Sequence, residues 1–145
     1  MKIESNQNDL SFFLLEKTMR SFRKFSQREF LKRDIDLSIE QWSVLSSIYE
    51  TPGISQKEIA ELTQKDPASM TRMIDLLEKK KLLVREKATK DRRIFSISLT
   101  DEGVKYVEEI IPLTAEMRKF GLKSVSNADK ALLIEVLKKI CENLE

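Results

Sequence analysis

The side chains most able to bind a charged partner lie in one basic stretch, from Lys79 to Arg93. Its fifteen residues contain eight Lys or Arg side chains against two acidic ones, Glu86 and Asp91, a net charge of 8 − 2 = +6, whereas the whole chain carries only +2. A charge run of this kind forms either a solvated face or a surface for phosphate groups. Both interpretations stay open until the neighbouring elements are considered.

The residue types needed for most catalysis are missing from the sequence. The chain has no histidine, which removes the commonest general base and the commonest transition-metal ligand. Its three glycines, Gly53, Gly103 and Gly121, lie too far apart to form a phosphate-cradling loop. We therefore expect no enzyme, no metal site and no cofactor.

Composition points to a globular protein of the cytoplasm. The chain is 41% hydrophobic and 34% charged, and no apolar run approaches the length needed to cross a bilayer. The first ten residues lack the apolar segment of a signal peptide. The one cysteine, Cys141, cannot form an intramolecular disulfide, and its place beside the apolar positions of a helix predicts a buried small hydrophobe.

Two short capped helices precede the basic stretch. Ser55 and Glu58 have the spacing of a capping box, and Ile59 with Leu62 predicts the apolar stripe of the helix that follows. Asp66 and Pro67 predict the start of a second helix, as N-cap and first helical residue. The inward positions of that second helix are predicted to be Met70, Met73, Ile74 and Leu77. The outward positions near its N-terminal end, the end that a recognition helix presents to DNA bases, are Ala68, Ser69, Thr71, Arg72 and Asp75.

A β-hairpin is predicted to follow. Phe95, Ile97 and Leu99 alternate with two serines, a period that indicates a half-buried strand pairing back on residues 83–87. Residues 90–93 would then lie at or near the tip of the hairpin. Two capped helices followed by a basic hairpin is the layout of a winged helix-turn-helix, and this context favours phosphate binding as the role of the basic stretch.

Both ends of the chain are predicted to be helical and amphipathic. Residues 9–32 carry five of the seven phenylalanines, and a capping box from Ser38 to Gln41 opens the next helix. A third helical region starts at Thr100, with Pro112 predicted to kink or break it, and the last helix covers residues 128–143. These apolar faces are wider than one small domain covers, so we expect a second chain to cover them.

The sequence from Leu37 to Gly103 resembles the MarR family of transcriptional regulators. The most specific element is the run DRR, then alternating apolar residues, then LT-x-x-G, which is similar to the family's wing signature. On that match Asp91 braces the wing and Arg93 enters a minor groove. The family usually has glycine where Lys81 stands; because a left-handed conformation costs lysine on the order of 1 kcal/mol, we expect the recognition helix to end differently here.

The resemblance implies a mainly α fold with a small β-hairpin wing, in which terminal helices pair with those of a second subunit. We predict a single chain of residues 1–145, with residues 36–100 as the winged helix-turn-helix and residues 1–35 and 101–145 as the dimerisation part. The implied function is a homodimeric regulator, most often a repressor, that binds a pseudo-palindromic site on double-stranded DNA. A winged-helix module that binds protein instead remains the alternative.

The predicted binding residues form two sets. The DNA-binding set is Lys65, Ser69, Thr71, Arg72, Lys90, Asp91, Arg92 and Arg93. MarR-like proteins often bind small aromatic compounds between the dimerising helices and the DNA-binding part, which makes Phe13, Trp42 and Tyr49 ligand candidates. On size and helical spacing alone, Trp42 is more readily interpreted as a core residue.

Overall fold

The computed structural model of the chain describes residues 6–87 and 95–145. In these ranges the fold is mainly helical with one small antiparallel sheet, which confirms the predicted fold class. In chain order the elements are α1 (Gln7–Lys32), α2 (Ile39–Glu50), β1 (Ile54–Ser55), α3 (Gln56–Thr63), α4 (Pro67–Lys79), β2 (Leu83–Lys87), β3 (Phe95–Leu99), α5 (Asp101–Gly121) and α6 (Asn127–Leu144).

The predicted helix starts are confirmed. Both capping boxes form, at Ser38 with Gln41 and at Ser55 with Glu58. In each, the serine hydroxyl accepts the backbone N–H of the later residue, and the side chain of that residue accepts the backbone N–H of the serine. Asp66 caps α4 by accepting the N–H of Ser69, and proline occupies the first turn. These caps satisfy N–H groups that have no partner inside their own helix, so each helix starts where the sequence places it.

The hairpin also has the predicted pairing. Strand β2 runs antiparallel to β3 in a register that joins Leu83 to Leu99 and Lys87 to Phe95. The sequence analysis missed the two-residue strand β1, which pairs with the other side of β3 through Ile54 and Ile97. The sheet order is therefore β1-β3-β2, with β3 in the centre.

The chain divides into two compact units, Met1–Thr114 and Ala115–Glu145. The hydrophobic core of the first unit comes from the end of α1, from α2 to α4, from the sheet and from the first part of α5. Its fully buried side chains include Phe30, Val44, Leu45, Ile48, Ile59, Met70, Ile74, Leu77, Leu83 and Ile97. In the second unit, α6 contributes no buried residue.

Two inward-facing predictions in the helix-turn-helix need correction. Leu62 is 67% exposed, although Ile59 is fully buried as predicted. The covered face of α3 runs instead through Ile59, Ala60 and Thr63, so Leu62 lies beyond its edge. Met73 is only half-buried, while the other three inward positions of α4 are fully buried.

The prediction that α4 ends differently because of Lys81 is wrong. Lys81 adopts the left-handed conformation itself, with φ of 60°. Its N–H donates to the carbonyl of Glu78, and the N–H of Leu82 donates to the carbonyl of Leu77. This is the Schellman ending that a glycine would give, and Leu82, which follows it, is buried.

Of the kink or break predicted at Pro112, the break does not occur, because helix α5 continues through that residue. The prediction that Cys141 is buried is wrong, because it is exposed on α6, a helix with no buried residue.

The hairpin is fixed to α5 by a close backbone contact. The Thr100 hydroxyl donates to the carbonyl of Lys81 at 2.6 Å and accepts the N–H of Gly103 at 3.0 Å. A Cβ atom added at Gly103 would lie only 2.9 Å from the carbonyl carbon of Leu82, and closer still to its oxygen. The glycine of the LT-x-x-G run therefore lets the start of α5 lie against the backbone of Leu82, just before β2.

Candidate nucleic-acid interface

The N-terminal end of α4 carries a connected row of polar side chains. One carboxylate oxygen of Asp66 accepts the Ser69 N–H at 2.9 Å, and the other accepts the Ser69 hydroxyl at 2.6 Å. The guanidinium of Arg72 donates to the Ser69 hydroxyl oxygen at 3.4 Å. Residues 66, 69 and 72 recur every three residues, which places them along one side of the helix.

The same contacts lower the pKa of Asp66. The hydroxyl of Ser69, and then its backbone N–H, hold the pKa of the Asp66 carboxyl below its usual range, and the positive charge of Arg72 adds to the effect. A charged carboxylate at a helix N-terminus also interacts favourably with the helix dipole. The start of the predicted recognition helix is therefore preorganised by its own side chains.

Thr71 connects α4 to the helix before it. Its hydroxyl donates to the Pro67 carbonyl at 3.0 Å and accepts from the side-chain amide of Gln56 at 2.8 Å. Gln56 is the first residue of α3, and the sequence analysis did not single it out. Its position directly after the N-cap Ser55 was the only sequence signal that it would lie near the recognition helix.

The described members of the predicted DNA-binding set lie on one part of the surface. Thr71 and Arg72 are exposed on α4, Ser69 is half-buried beside them, and Lys65 is half-buried in the turn between α3 and α4. The other four, Lys90, Asp91, Arg92 and Arg93, lie outside the described residues. Their roles at the wing therefore stay predictions.

Not every cation of the basic stretch is available to phosphate. The amino group of Lys80 donates to the carbonyl of Asp36 at 2.7 Å and to its carboxylate at 3.2 Å. Arg85 pairs with Asp75 and lies 3.6 Å from a carboxylate oxygen of Glu78. These two cations hold elements of the fold together.

A cavity of about 870 Å³ lies beside the same surface, between α3, α4 and the hairpin. Its lining is mostly apolar and includes Ala60, Pro67, Met70 and Phe95. Thr71 and Arg85 add polar groups to the wall. Its size lies within the range of small-molecule sites in proteins, about 300–1,000 Å³.

The three residues predicted to contact an aromatic ligand have separate environments. Trp42 is buried and packs edge-on against Phe30, with ring centroids 6.3 Å apart, as a core residue does. Tyr49 donates its hydroxyl to a carboxylate oxygen of Glu108 at 3.1 Å, which raises the pKa of the tyrosine. Phe13 is 42% exposed on α1.

The described part of the chain contains neither a metal-binding cluster nor a membrane-spanning helix. Among residues 6–87 and 95–145, no group of three or more His, Cys, Asp or Glu side chains is placed to hold a metal ion. In the same residues no helix combines the length and the apolar character needed to span a bilayer.

Comparison with protein families and curated proteins gives a consistent result. The model of the MarR family matches residues 37–95. The chain is 31% identical over 116 residues to the uncharacterized HTH-type transcriptional regulator YhbI of Bacillus subtilis, a match that covers 79% of this chain and 75% of that protein. It is 42% identical over 71 residues to the HTH-type transcriptional repressor MdtR of the same organism, a match that covers 49% of this chain and 46% of MdtR.

Solved structures share the fold. The S. aureus MepR–DNA complex superposes with a TM-score of 0.81 at 23% identity, covering 90% of this chain and 96% of MepR. Bordetella bronchiseptica BpsR, whose DNA binding is regulated by 6-hydroxynicotinic acid, gives a TM-score of 0.82 at 23% identity. The match covers 91% of this chain and 98% of BpsR. At these identities the two likenesses show the fold alone. Together with the YhbI relative and the matching family model, the winged-helix architecture establishes that this chain belongs to the MarR family of transcriptional regulators.

Proposed function

We propose that the protein is a homodimeric repressor of the cytoplasm that binds a pseudo-palindromic site on double-stranded DNA. The observation that carries this proposal is the row of Asp66, Ser69 and Arg72 on α4, with Thr71 beside it. Such a row at the N-terminal end of the second helix suits the major groove. The name of the relative MdtR, a repressor, supports the direction of regulation.

The apolar faces of the two terminal helices support the dimer. On α1, Phe12 and Met19 are each 54% exposed. On α6, the exposed apolar side chains are Leu132, Leu133, Ile134, Val136 and Leu144. Contiguous exposed apolar surface of this kind marks an interaction site. We propose that a second copy of the chain covers both faces, with residues 1–35 and 101–145 as the dimerisation part.

Sedimentation tests the dimer. Leu133→Glu should give monomers at micromolar concentration, because it places a charge within the proposed interface. Glu142→Lys is the control, since Glu142 is exposed on the side of α6 opposite Leu133; this variant should remain dimeric. A folded parent monomer at micromolar concentration would contradict the proposal.

The DNA site can be found by sequencing the fragments that the purified protein retains. A dimer with two recognition helices should retain inverted half-sites about 34 Å apart, one turn of the DNA helix. Binding should weaken steeply with salt, because phosphate contacts release counterions. Binding without salt dependence or sequence preference would favour the protein-binding module instead.

Arg72 and Arg93 should respond differently to a panel of single-base variants of the site. Arg72→Ala should relax preference at one or two positions of each half-site, since a base contact discriminates by about 1–3 kcal/mol. Arg93→Ala should weaken binding to all variants, and most where the flank is A·T-rich. Arg28→Ala, which removes an exposed charge from α1, is the control and should change neither the base preference nor the overall DNA affinity. If Arg93→Ala binds every variant as tightly as the parent, the wing does not contact DNA.

We also propose that binding of a small aromatic compound releases the protein from DNA. The cavity between α3, α4 and the hairpin supports it, as does the regulation of BpsR by 6-hydroxynicotinic acid. A panel of aromatic acids should include a compound that lowers DNA affinity. Phe95→Ala should abolish this response if the compound occupies that cavity, whereas Phe13→Ala should abolish it if the compound binds at α1. Failure of every compound on the panel would contradict the proposal.

A further inference from the structure

Arg85 joins the hairpin to the recognition helix. It lies in the middle of β2, opposite the buried Ile97 of β3, and its side chain is only 20% exposed. Its guanidinium pairs with the carboxylate of Asp75 and lies 3.6 Å from that of Glu78. Both carboxylates belong to α4, three residues apart, so one cation on the wing contacts two anions on the recognition helix.

The geometry suits arginine. A guanidinium presents five N–H donors in a planar fork, which lets it serve two carboxylates at once. Asp75 accepts from Nη2, and Glu78 lies near Nε, so different edges of the fork face the two partners. A side chain held in this way is directed at α4, which leaves it poorly placed to reach a phosphate.

The two carboxylates would oppose DNA binding if Arg85 were absent. Asp75 and Glu78 are 51% and 46% exposed, and Asp75 lies one turn beyond Thr71, on the groove-facing side predicted for α4. Unpaired negative charges at that position would repel the DNA backbone. Arg85 offsets one of these two negative charges, through its pair with Asp75, and fixes the hairpin beside the helix.

We infer that Arg85 is a positioning residue for DNA recognition, which holds Asp75 and the hairpin in place and does not itself bind phosphate. This inference rests on the proposed function. It gives Arg85 a role different from the phosphate binding that the net charge of the basic stretch predicts.

The experiment measures DNA affinity of the full-length protein over a range of salt concentrations. Arg85→Ala should weaken binding by roughly 2- to 30-fold, the usual effect of a residue that acts through its neighbours. The slope of log affinity against log salt should stay at the parent value, because no phosphate contact is lost. Adding Asp75→Asn to Arg85→Ala should restore much of the affinity, since it removes the charge that Arg85 neutralised.

Lys87→Ala is the matched control. Lys87 lies two residues further along β2, on the same face, and the described residues give it no carboxylate partner. Asp75→Asn should not restore affinity to Lys87→Ala. If Asp75→Asn restores none of the affinity lost in Arg85→Ala, the loss does not come from the unpaired Asp75 charge, and the inference is overturned.

The remaining outcomes separate this inference from the proposed function. A slope that becomes less steep by about 0.9 in Arg85→Ala would show a lost phosphate contact and would overturn the inference alone. Equal gains from Asp75→Asn in the parent, Arg85→Ala and Lys87→Ala backgrounds would show a general charge effect and would also overturn it. A parent protein that binds no DNA at any salt concentration would overturn the proposed function itself.

Discussion

Lys81→Gly should stabilise the protein. Lys81 has a φ of 60°, a conformation that costs a residue with a Cβ atom about 1–2 kcal/mol and costs glycine almost nothing. Glycine also gives the unfolded chain more freedom, which costs about 0.4–1 kcal/mol on folding. The net gain in unfolding free energy should therefore be about 0.5–1 kcal/mol.

The backbone contacts of Lys81 should survive the substitution. Its carbonyl accepts the Thr100 hydroxyl and its N–H donates to the Glu78 carbonyl, and neither bond involves the lysine side chain. A gain of this size corresponds to a rise in melting temperature of about 1–4 °C for a chain of this length. Urea unfolding at fixed protein concentration measures the free energy directly.

Lys79→Gly is the matched control. It removes the same charge from the same helix end, but Lys79 is the last residue of α4, where glycine costs up to about 1 kcal/mol because it is a poor helix former. The two variants should thus change stability in opposite directions. If Lys81→Gly is no more stable than the parent, or behaves like Lys79→Gly, the strain assigned to position 81 does not exist.

Three further predictions follow from other contacts. Gly103→Ala should destabilise the protein by about 1–3 kcal/mol in urea unfolding, because its Cβ would collide with the Leu82 carbonyl; stability equal to the parent would show that the backbone has room. Because the pKa of Asp66 is lowered in the folded protein, its carboxylate adds to the free energy of unfolding above the unfolded pKa of about 3.9, and this stabilisation is lost as the pH falls through the folded value. Asp66→Asn should therefore make the free energy of unfolding depend less on pH in the acid range. An unchanged pH dependence in that range would contradict this prediction. The hydrogen bond to Glu108 raises the pKa of Tyr49, so Glu108→Gln should lower one tyrosine pKa in an alkaline titration at fixed salt, and an unchanged titration would refute that contact.

The sequence predicted those features that depend on residues close together in the chain. The caps at Ser38, Ser55 and Asp66 each need one side chain and a backbone N–H two or three residues on. The hairpin register follows from alternation on two neighbouring strands. Local chemistry of this kind can be read from spacing alone, because helices and strands have fixed periods.

The features that sequence analysis missed depend on pairs far apart in the chain. Gln56 meets Thr71 across fifteen residues, and Arg85 meets Asp75 across ten. Residue type shows only that such groups can bond, and many other pairings of the same types are equally allowed. Their partners become known only when the packing of α3, α4 and the hairpin is known.

The errors at Lys81 and Cys141 have a different physical origin. The intrinsic preference of lysine argues against a left-handed conformation at position 81. The fold nevertheless requires it, because Leu82 is buried and the carbonyl of Lys81 accepts the Thr100 hydroxyl. Two hydrogen bonds and a buried leucine together outweigh a local cost of about 1 kcal/mol. At Cys141 the apolar neighbours predict burial only where other residues cover that part of the helix, and no residue of α6 is buried. A helix with this many exposed leucine, isoleucine and valine side chains is stable in water when a partner removes them from solvent, which supports the proposed second copy of the chain.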